Sequence, residues 1–177
     1  MMPSLITKKR IAKAFKTLLE REEFDKISIV DIMELAGIRR QTFYNHFLDK
    51  YQLMDWIFEN DLQEQITNNL DFITGYQLLK ELFLYFEEEK EFYVQLFAIR
   101  GQNDFYSYFI TYCMTVVEKI IKEYSVQAIF IENETFLAFH QNYHAHALAE
   151  IVRCFVSHSI PMPAPNFLLY EMTNRIM

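Results

Sequence analysis

The chain has 177 residues, of which 51% are hydrophobic and 23% charged, with 24 acidic and 17 basic side chains. This much apolar material excludes a disordered chain and suits one domain, or a small domain joined to a larger one. No apolar run reaches the about 18 residues of a membrane span. The N-terminus also lacks the apolar region of a secretory signal. We therefore expect a cytoplasmic protein.

The charge is unevenly distributed along the chain. Residues 1–56 carry 10 Lys and Arg against 8 Asp and Glu, a net charge of +2, whereas residues 57–177 carry 7 against 16, a net charge of −9. A basic end on an acidic body is compatible with a small DNA-reading module. Ordinary solvated faces would give the same pattern, so the charge alone leaves both interpretations open.

The first two predicted helices carry clear local signals. Apolar residues recur at i, i+3, i+4, i+7 and i+8 in the first helix: Ile11, Ala14, Phe15, Leu18 and Leu19. Thr7 is predicted to be its N-cap. The second helix is predicted to start at Ser28, which forms an S-x-x-D capping pattern with Asp31. Gly37 is predicted to end it, since a left-handed C-terminal residue costs glycine little.

A third short helix is predicted over residues 40–47, and its two faces differ in chemistry. Phe43 and Phe47 are four residues apart and share an apolar face. The same spacing places four polar residues on the other face: Arg40, Gln41, Tyr44 and Asn45. Two short helices around a glycine turn are typical of a helix-turn-helix, whose second helix enters the major groove of DNA. The alternative is a purely structural helical corner.

Residues 27–54, "ISIVDIMELAGIRRQTFYNHFLDKYQLM", resemble the DNA-binding region of the TetR family of bacterial transcription regulators. The shared features are D-I-x-x-x-A-G-I, T-F-Y-x-H-F and D-K-x-x-L, and "TKKRIAKAFKTLLEREEF" before them resembles the family's first helix. The resemblance covers residues 7–56. It implies that some residues contact the DNA bases and that others contact the DNA backbone. Bases would be read by Arg39, Arg40 and Gln41; phosphates would be bound by Thr7, Thr42, Tyr44 and Lys50; His46 would add a backbone contact or buttress the turn.

Arg39 departs from the family pattern. The family usually has a small capping residue such as Ser or Thr at this position, and losing a cap costs about 1 kcal/mol. We therefore expect Arg39 to contribute at the DNA.

Beyond the helix-turn-helix, the apolar pattern predicts further helices with breaks near Gly75, at Gly101 and in the proline-rich run at 160–165. No alternating pattern of strands appears, so the predicted fold class is all-α. Residues 1–50 are assigned to the helix-turn-helix DNA-binding domain. The resemblance implies that the helical domain of residues 51–177 dimerises and receives the signal.

A stripe of small side chains predicts a dimer interface in the helix that ends near Val156. The stripe recurs at i, i+4, i+7 and i+11 and consists of Ala138, Asn142, Ala145 and Ala149, with Phe136 supplying bulk beside it. Small side chains let helices approach closely. Together with the last helix, this surface would pair across a two-fold axis in a homodimer.

The aromatic segment "DFYSYFITYC", residues 104–113, could either line a ligand pocket or fill the core. Residues 136–153, "FLAFHQNYHAHALAEIVR", resemble the branch of the family that includes activators of dihydroxyacetone kinase operons. This likeness implies control by a partner protein that itself resembles a dihydroxyacetone kinase subunit. The alternative is a repressor released by a small apolar or aromatic ligand.

Other chemistry is weakly indicated. His140 and His144 have the i, i+4 spacing of a helical metal pair, but no H-E-x-x-H or similar carboxylate pattern accompanies them, so we predict packing histidines and no metal. Cys113 and Cys154 lack the CxxC spacing of a redox site. We predict no cofactor and no enzymatic activity. A metal-dependent helical enzyme and a protein-interaction domain that has lost DNA binding are the competing classes.

Overall fold

The computed structural model describes residues 3–65, 73–99, 105–124 and 134–173. All regular structure in these ranges is helical, which confirms the predicted all-α class. The helices are α1 (Pro3–Leu19), α2 (Ile29–Ala36), α3 (Arg40–Phe43), α4 (Lys50–Gln65), α5 (Gly75–Glu88), α6 (Lys90–Ala98), α7 (Phe105–Tyr124), α8 (Glu134–Val156) and α9 (Pro165–Thr173). None of these helices is long and apolar enough to cross a membrane. The predicted break at Gly101 lies outside the described residues.

Helices α1 and α2 follow their sequence signals closely. The apolar stripe of α1 is buried except for Leu18, which is half-buried, and Ile11 and Phe15 are fully enclosed. Helix α2 begins with the predicted capping box, in which Asp31 N–H donates to Ser28 Oγ at 3.2 Å and Ser28 N–H donates to Asp31 Oδ2 at 2.9 Å. Gly37 ends the helix at φ 64°. The predicted N-cap at Thr7 is wrong, because α1 already begins at Pro3.

Helix α3 is shorter than predicted, since regular helix ends at Phe43 and residues 44–46 form turns. Its N-cap Arg39 has an extended backbone and makes no side-chain cap. The capping interactions of α4 begin soon afterwards: Gln52 N–H donates to Asp49 Oδ1 at 2.8 Å, and Leu48 N–H donates to Gln52 Oε1 at 2.7 Å. Helix α3 is therefore limited to about one turn, because it has no N-terminal cap and the capped start of α4 follows it closely.

The body is built around α7, which packs most extensively against α8 and also contacts α5, α6 and α9. Its core is rich in aromatic rings. Phe58 meets Phe105 edge to face at 5.1 Å between ring centroids, and Phe86 meets Phe109 at 5.3 Å. At Gly75, where α5 begins, an added Cβ would lie only 2.9 Å from Ile120 and Tyr124 side-chain atoms. The first residue of α5 is therefore glycine, because α5 and α7 approach too closely at this point for a larger side chain.

Candidate nucleic-acid interface

The outer surface of α3 and its flanks is polar. Arg39, Arg40 and Gln41 are exposed, and Thr42 and His46 are half-buried beside them. Tyr44 is 51% exposed, and its hydroxyl lies 3.5 Å from Arg40 Nη2. The structure therefore brings six of the eight predicted DNA-binding residues together on one side of the helix-turn-helix.

Buried aromatic rings hold α3 from behind. Phe43 is fully buried and its ring centroid lies 5.5 Å from that of Phe47. Phe47 in turn contacts Trp56 of α4 at 5.8 Å. Lys8 of α1 places its ammonium 5.4 Å from the centroids of both Phe47 and Trp56. These contacts fix the exposed face relative to α1 and α4.

Arg10 fixes the turn before α3, and the sequence reasoning missed it. Its Nη2 donates to the carbonyl oxygen of Ala36 at 2.8 Å. The last carbonyls of a helix are the negative end of its dipole, so a guanidinium is favoured there. An added Cβ on Gly37 would lie 3.5 Å from the same nitrogen. The sequence signal that could have indicated this contact is a basic residue next to the buried apolar stripe of α1.

The two remaining predicted DNA-binding residues are placed differently. Thr7 is half-buried within α1. Lys50 is also half-buried, and its ammonium donates to the carbonyl oxygens of Phe24 at 2.6 Å and Ile27 at 3.1 Å. The ammonium lies 4.3 Å from the centroid of the Phe24 ring. Burial lowers the pKa of Lys50, while the nearby charge of Asp25 opposes that shift.

The predicted dimer stripe divides between two environments. Phe136, Ala138 and Asn142 are exposed on α8. Ala145 and Ala149 are fully buried within the protomer, so their assignment to an intersubunit surface is wrong. They belong to the face of α8 that packs inside the protomer, where α7 is its most extensive neighbour. Close packing of these helices explains the small side chains without a dimer.

Large aromatic side chains are exposed on the same helix and on α9. Phe139 is 65% exposed and Tyr143 is 61% exposed, and their rings stack at 6.4 Å. Phe167 and Tyr170 of α9 are 61% and 60% exposed. Surface aromatics grouped on neighbouring elements of this kind are enriched in protein interfaces.

The histidines of α8 pack against each other. His140 is buried, and its Nε2–H donates to the Met172 carbonyl oxygen at 3.0 Å, which joins α8 to α9. The rings of His140 and His144 lie 4.3 Å apart. Burial and the neighbouring His140 lower the pKa of His144 to about 4. Within the described ranges, no group of three or more His, Cys, Asp or Glu is placed to hold a metal ion.

Lys16 connects the DNA-binding end to the body. Its Nζ lies 2.6 Å from Asp61 Oδ2 of α4 and 2.9 Å from Glu89 Oε2 between α5 and α6. The same ammonium lies 4.9 Å from the Phe92 ring centroid. These contacts reach from α1 to three elements, so they restrict how α1 is oriented on the body.

Clefts are formed between described residues. One of about 560 Å³ lies between α1, α4 and the α5–α6 junction, and charged side chains dominate its lining. Another of about 400 Å³ lies between the α5–α6 junction and the chain that follows α8. The aromatic residues of α7 are placed elsewhere: Phe105 and Phe109 are fully buried and stack at 5.9 Å.

Comparisons with known proteins agree with these features. The family described as "Transcriptional regulator C-terminal region", of the TetR type, matches residues 74–174. The chain is 37% identical over 153 residues to the "HTH-type dhaKLM operon transcriptional activator DhaS" of Lactococcus lactis subsp. lactis (strain IL1403), covering 86% of this chain and 81% of that protein.

A solved structure, "Dihydroxyacetone kinase operon activator DhaS", superimposes with a TM-score of 0.73 at 33% identity and covers 95% of this chain and 92% of its own. Both resemblances drawn from the sequence, to the family and to its activator branch, are confirmed. The chain therefore belongs to the TetR family of DNA-binding transcriptional regulators.

Proposed function

We propose that this regulator activates transcription of an operon for dihydroxyacetone kinase. The observation that carries the proposal is the likeness to activators of such operons, which spans most of the chain in both sequence and structure. Residues 1–50 would bind DNA in the cytoplasm, and residues 51–177 would dimerise and receive the signal. The protein performs no catalysis in this role.

The DNA-binding proposal rests on the exposed groups of α3. Arg39, Arg40 and Gln41 would read base edges in the major groove, because guanidinium and amide groups match the acceptor and donor patterns of guanine and adenine. A second group of residues would contact the backbone: Thr7, Thr42, Tyr44 and His46. Hydroxyl and imidazole groups can donate hydrogen bonds to phosphate oxygens.

A homodimer is proposed because one short helix makes too few base contacts for typical operator affinity. A two-fold pair would present two α3 helices to a near-palindromic site. The exposed rings of Phe139 and Tyr143 on α8, with Phe167 and Tyr170 on α9, supply the apolar surface that such an interface requires. Phe136, Ala138 and Asn142 would lie at its edge.

The proposed signal is a partner protein that resembles a dihydroxyacetone kinase subunit. The aromatic side chains of α7 that a small apolar ligand would need around it are instead packed against one another in the core. A repressor released by a small ligand is the second candidate, and the 560 Å³ cleft favours it. The cleft lining includes Lys13, Glu88 and Glu91, which suits a polar ligand better than an apolar one.

Sequencing the DNA that the protein occupies in cells tests the operon assignment. We expect enrichment of a near-palindromic site upstream of dihydroxyacetone kinase genes, and Arg40→Ala as the control should reduce that enrichment. Sites only upstream of unrelated genes would contradict the assignment. Transcription from the recovered promoter should then rise only when the kinase-like partner is added. Activation or release by a metabolite alone would instead support the small-ligand candidate.

A further inference from the structure

Lys50 is the first residue of α4, and its ammonium makes three close contacts: two with backbone carbonyl oxygens and one with an aromatic ring. The nitrogen is 2.6 Å from the Phe24 carbonyl oxygen, 3.1 Å from that of Ile27 and 4.3 Å from the Phe24 ring centroid. The carbonyl oxygen of Asp25 is farther away, at 3.5 Å. An ammonium has three donors and no acceptor, so two strong carbonyl bonds and a ring face use most of its capacity.

The acceptors belong to the connection between α1 and α2. Phe24–Lys26 forms one 3-10 turn, and Ile27 is its C-cap. The Phe24 carbonyl is at the first position of this turn and also accepts the Ile27 N–H at 3.3 Å, so it uses its second lone pair for the Lys50 ammonium. Helix α2 starts two residues after Ile27, so a bond to the Ile27 carbonyl links the beginning of α2 to the beginning of α4.

Phe24 adds an apolar contact to this link. Its buried ring lies 6.0 Å from Phe15 of α1 and 5.0 Å from Tyr51, the neighbour of Lys50. One ring thus joins α1, the 3-10 turn and α4, with the Lys50 ammonium above its face. Burial of the ammonium lowers the pKa of Lys50, as expected for a cation partly removed from water.

A phosphate contact would compete with these bonds. Turning the side chain towards DNA would leave two carbonyls without their cationic donor and would remove the cation from the ring. The exposed basic residues of α3 have no comparable internal partners among the described contacts, apart from the weak contact of Arg40 with Tyr44.

We propose that Lys50 is a positioning residue, which ties the α1–α2 turn to α4 and so sets the orientation of α2 and α3, and that its charge is not used on a DNA phosphate. The DNA part of this statement rests on the proposed role of α3. The contacts of Lys50 with the α1–α2 turn are a property of the free protein and can be tested without DNA.

Two substitutions of Lys50 separate positioning from phosphate binding. Lys50→Met removes the ammonium and keeps a side chain of similar length. Lys50→Arg keeps the charge, and arginine binds phosphate well, but its donors lie on a longer, rigid planar group and not on one compact nitrogen that can reach both carbonyls and the ring face at once. Lys26→Met is the matched control, because Lys26 lies on the same turn, is exposed and pairs only at the surface with Glu23 at 3.3 Å.

The thermal midpoint of the full-length protein is measured first, without DNA. We expect both Lys50 variants to lower it by about 3 °C or more, since about 1 kcal/mol shifts the midpoint by about 2–4 °C in a chain of this size. Lys26→Met should leave it unchanged. Midpoints equal to wild type for both Lys50 variants would overturn the proposal.

Affinity for a random-sequence DNA duplex is then measured across salt concentrations. Each phosphate contact contributes about 0.9 to the slope of log K against log salt. We expect every soluble Lys50 variant to keep the wild-type slope. A slope reduced by about 0.9 per protomer in Lys50→Met, with Lys50→Arg retaining wild-type binding, would assign the ammonium to a phosphate and overturn the proposal.

The two measurements also separate this proposal from the proposed function. If the wild-type protein fails to bind DNA, the role of α3 is wrong, while the thermal midpoints still decide whether Lys50 ties the turn to α4. If Lys50→Met is too unstable to purify, Lys50→Arg decides the matter: a lowered midpoint supports positioning, and wild-type stability with wild-type DNA affinity contradicts it.

Discussion

The DNA-binding end and the α8–α9 surface expose opposite chemistry. Around α3, the rings of Phe43 and Phe47 are buried, and guanidinium and amide groups form the outer surface. On α8 and α9, rings such as Phe139 and Phe167 are themselves outermost. Both regions consist of helices that bury one face and expose the other, so the fold class does not account for the difference.

The difference follows from what each surface would meet. Hydrated phosphates and base edges are bound by charged and amide groups, and apolar rings behind them only need to hold the helix in place. A second protein surface is stabilised by burying apolar area, so exposed rings are useful there and costly elsewhere. The exposed charged groups in one region and the exposed rings in the other therefore fit the two proposed partners, DNA and a second protein surface.

The largest effect is expected where a charge would enter the inner face of α8. Ala145→Glu should lower the free energy of unfolding by about 3–5 kcal/mol, because the position is fully buried and the carboxylate would have no partner. Ala138→Glu, on the exposed side of the same helix, is the matched control and should be nearly neutral. Urea unfolding measures both. Equal free energies of unfolding for the two variants would show that Ala145 lies on the outer surface of α8 and not on its buried face.

A charge on the outer face of α8 should act on assembly and not on folding. Phe139→Glu should weaken dimerisation by about 2–4 kcal/mol if this ring is a central contact of the interface, and the thermal stability of the dissociated protomer should be retained. Thr111→Glu, exposed on α7, is the control. Light scattering over a dilution series gives the dimer dissociation constant. A Phe139→Glu dimer as tight as wild type would place the interface elsewhere.

At the DNA-binding end, the expected effect is on discrimination between sequences. Arg40→Ala should reduce the preference for operator over random DNA by about 1–3 kcal/mol, the value of one bidentate base contact. Folding should be unaffected, because the side chain is exposed. Lys26→Ala serves as a control for the loss of one surface charge. Equal losses on operator and random DNA would show that Arg40 contacts the backbone and reads no base.

Local signals in the sequence were sufficient for much of the helix-turn-helix. The capping box of Ser28 and Asp31, the glycine at 37 and the four-residue spacing of Phe43 and Phe47 each act within a few residues, so their structural effect is readable from the chain. The family resemblance added the expected DNA contacts, which remain predictions. The length of α3 was overestimated because its end depends on the capping of α4 at Asp49.

Long-range contacts were the part that the sequence did not reveal. Periodicity shows that Ala145 and Ala149 share a face, but not which neighbour covers that face. The Lys50 tie joins residues more than twenty positions apart, and its acceptors are backbone carbonyls, which have no signature in the sequence. The bond from His140 to the Met172 carbonyl escaped prediction for the same reason.

The smallest expected effect concerns α4, the helix that runs from the DNA-binding end into the body. Burial, followed by the charges of Glu59 and Asp49, raises the pKa of Asp55 to about 6 from an ordinary 3.8. Between about pH 4 and about pH 6, a carboxyl whose pKa is raised in the folded state keeps a proton that the unfolded chain has lost. Its contribution to stability therefore falls as the pH rises through this range and stays unfavourable above it.

Asp55→Asn removes this penalty. Because the group is half-exposed, solvent screening limits the gain, and we expect Asp55→Asn to raise the free energy of unfolding by less than about 1 kcal/mol near neutral pH. The difference from wild type should vanish near pH 4, where the native carboxyl is already protonated. Urea unfolding at the two pH values measures it, with Glu22→Gln as the control, because Glu22 is an exposed carboxylate. A gain that persists unchanged at the lower pH would come from packing or hydrogen bonding by the amide, and would show that the charge of Asp55 does not weaken the connection between the two ends of the molecule.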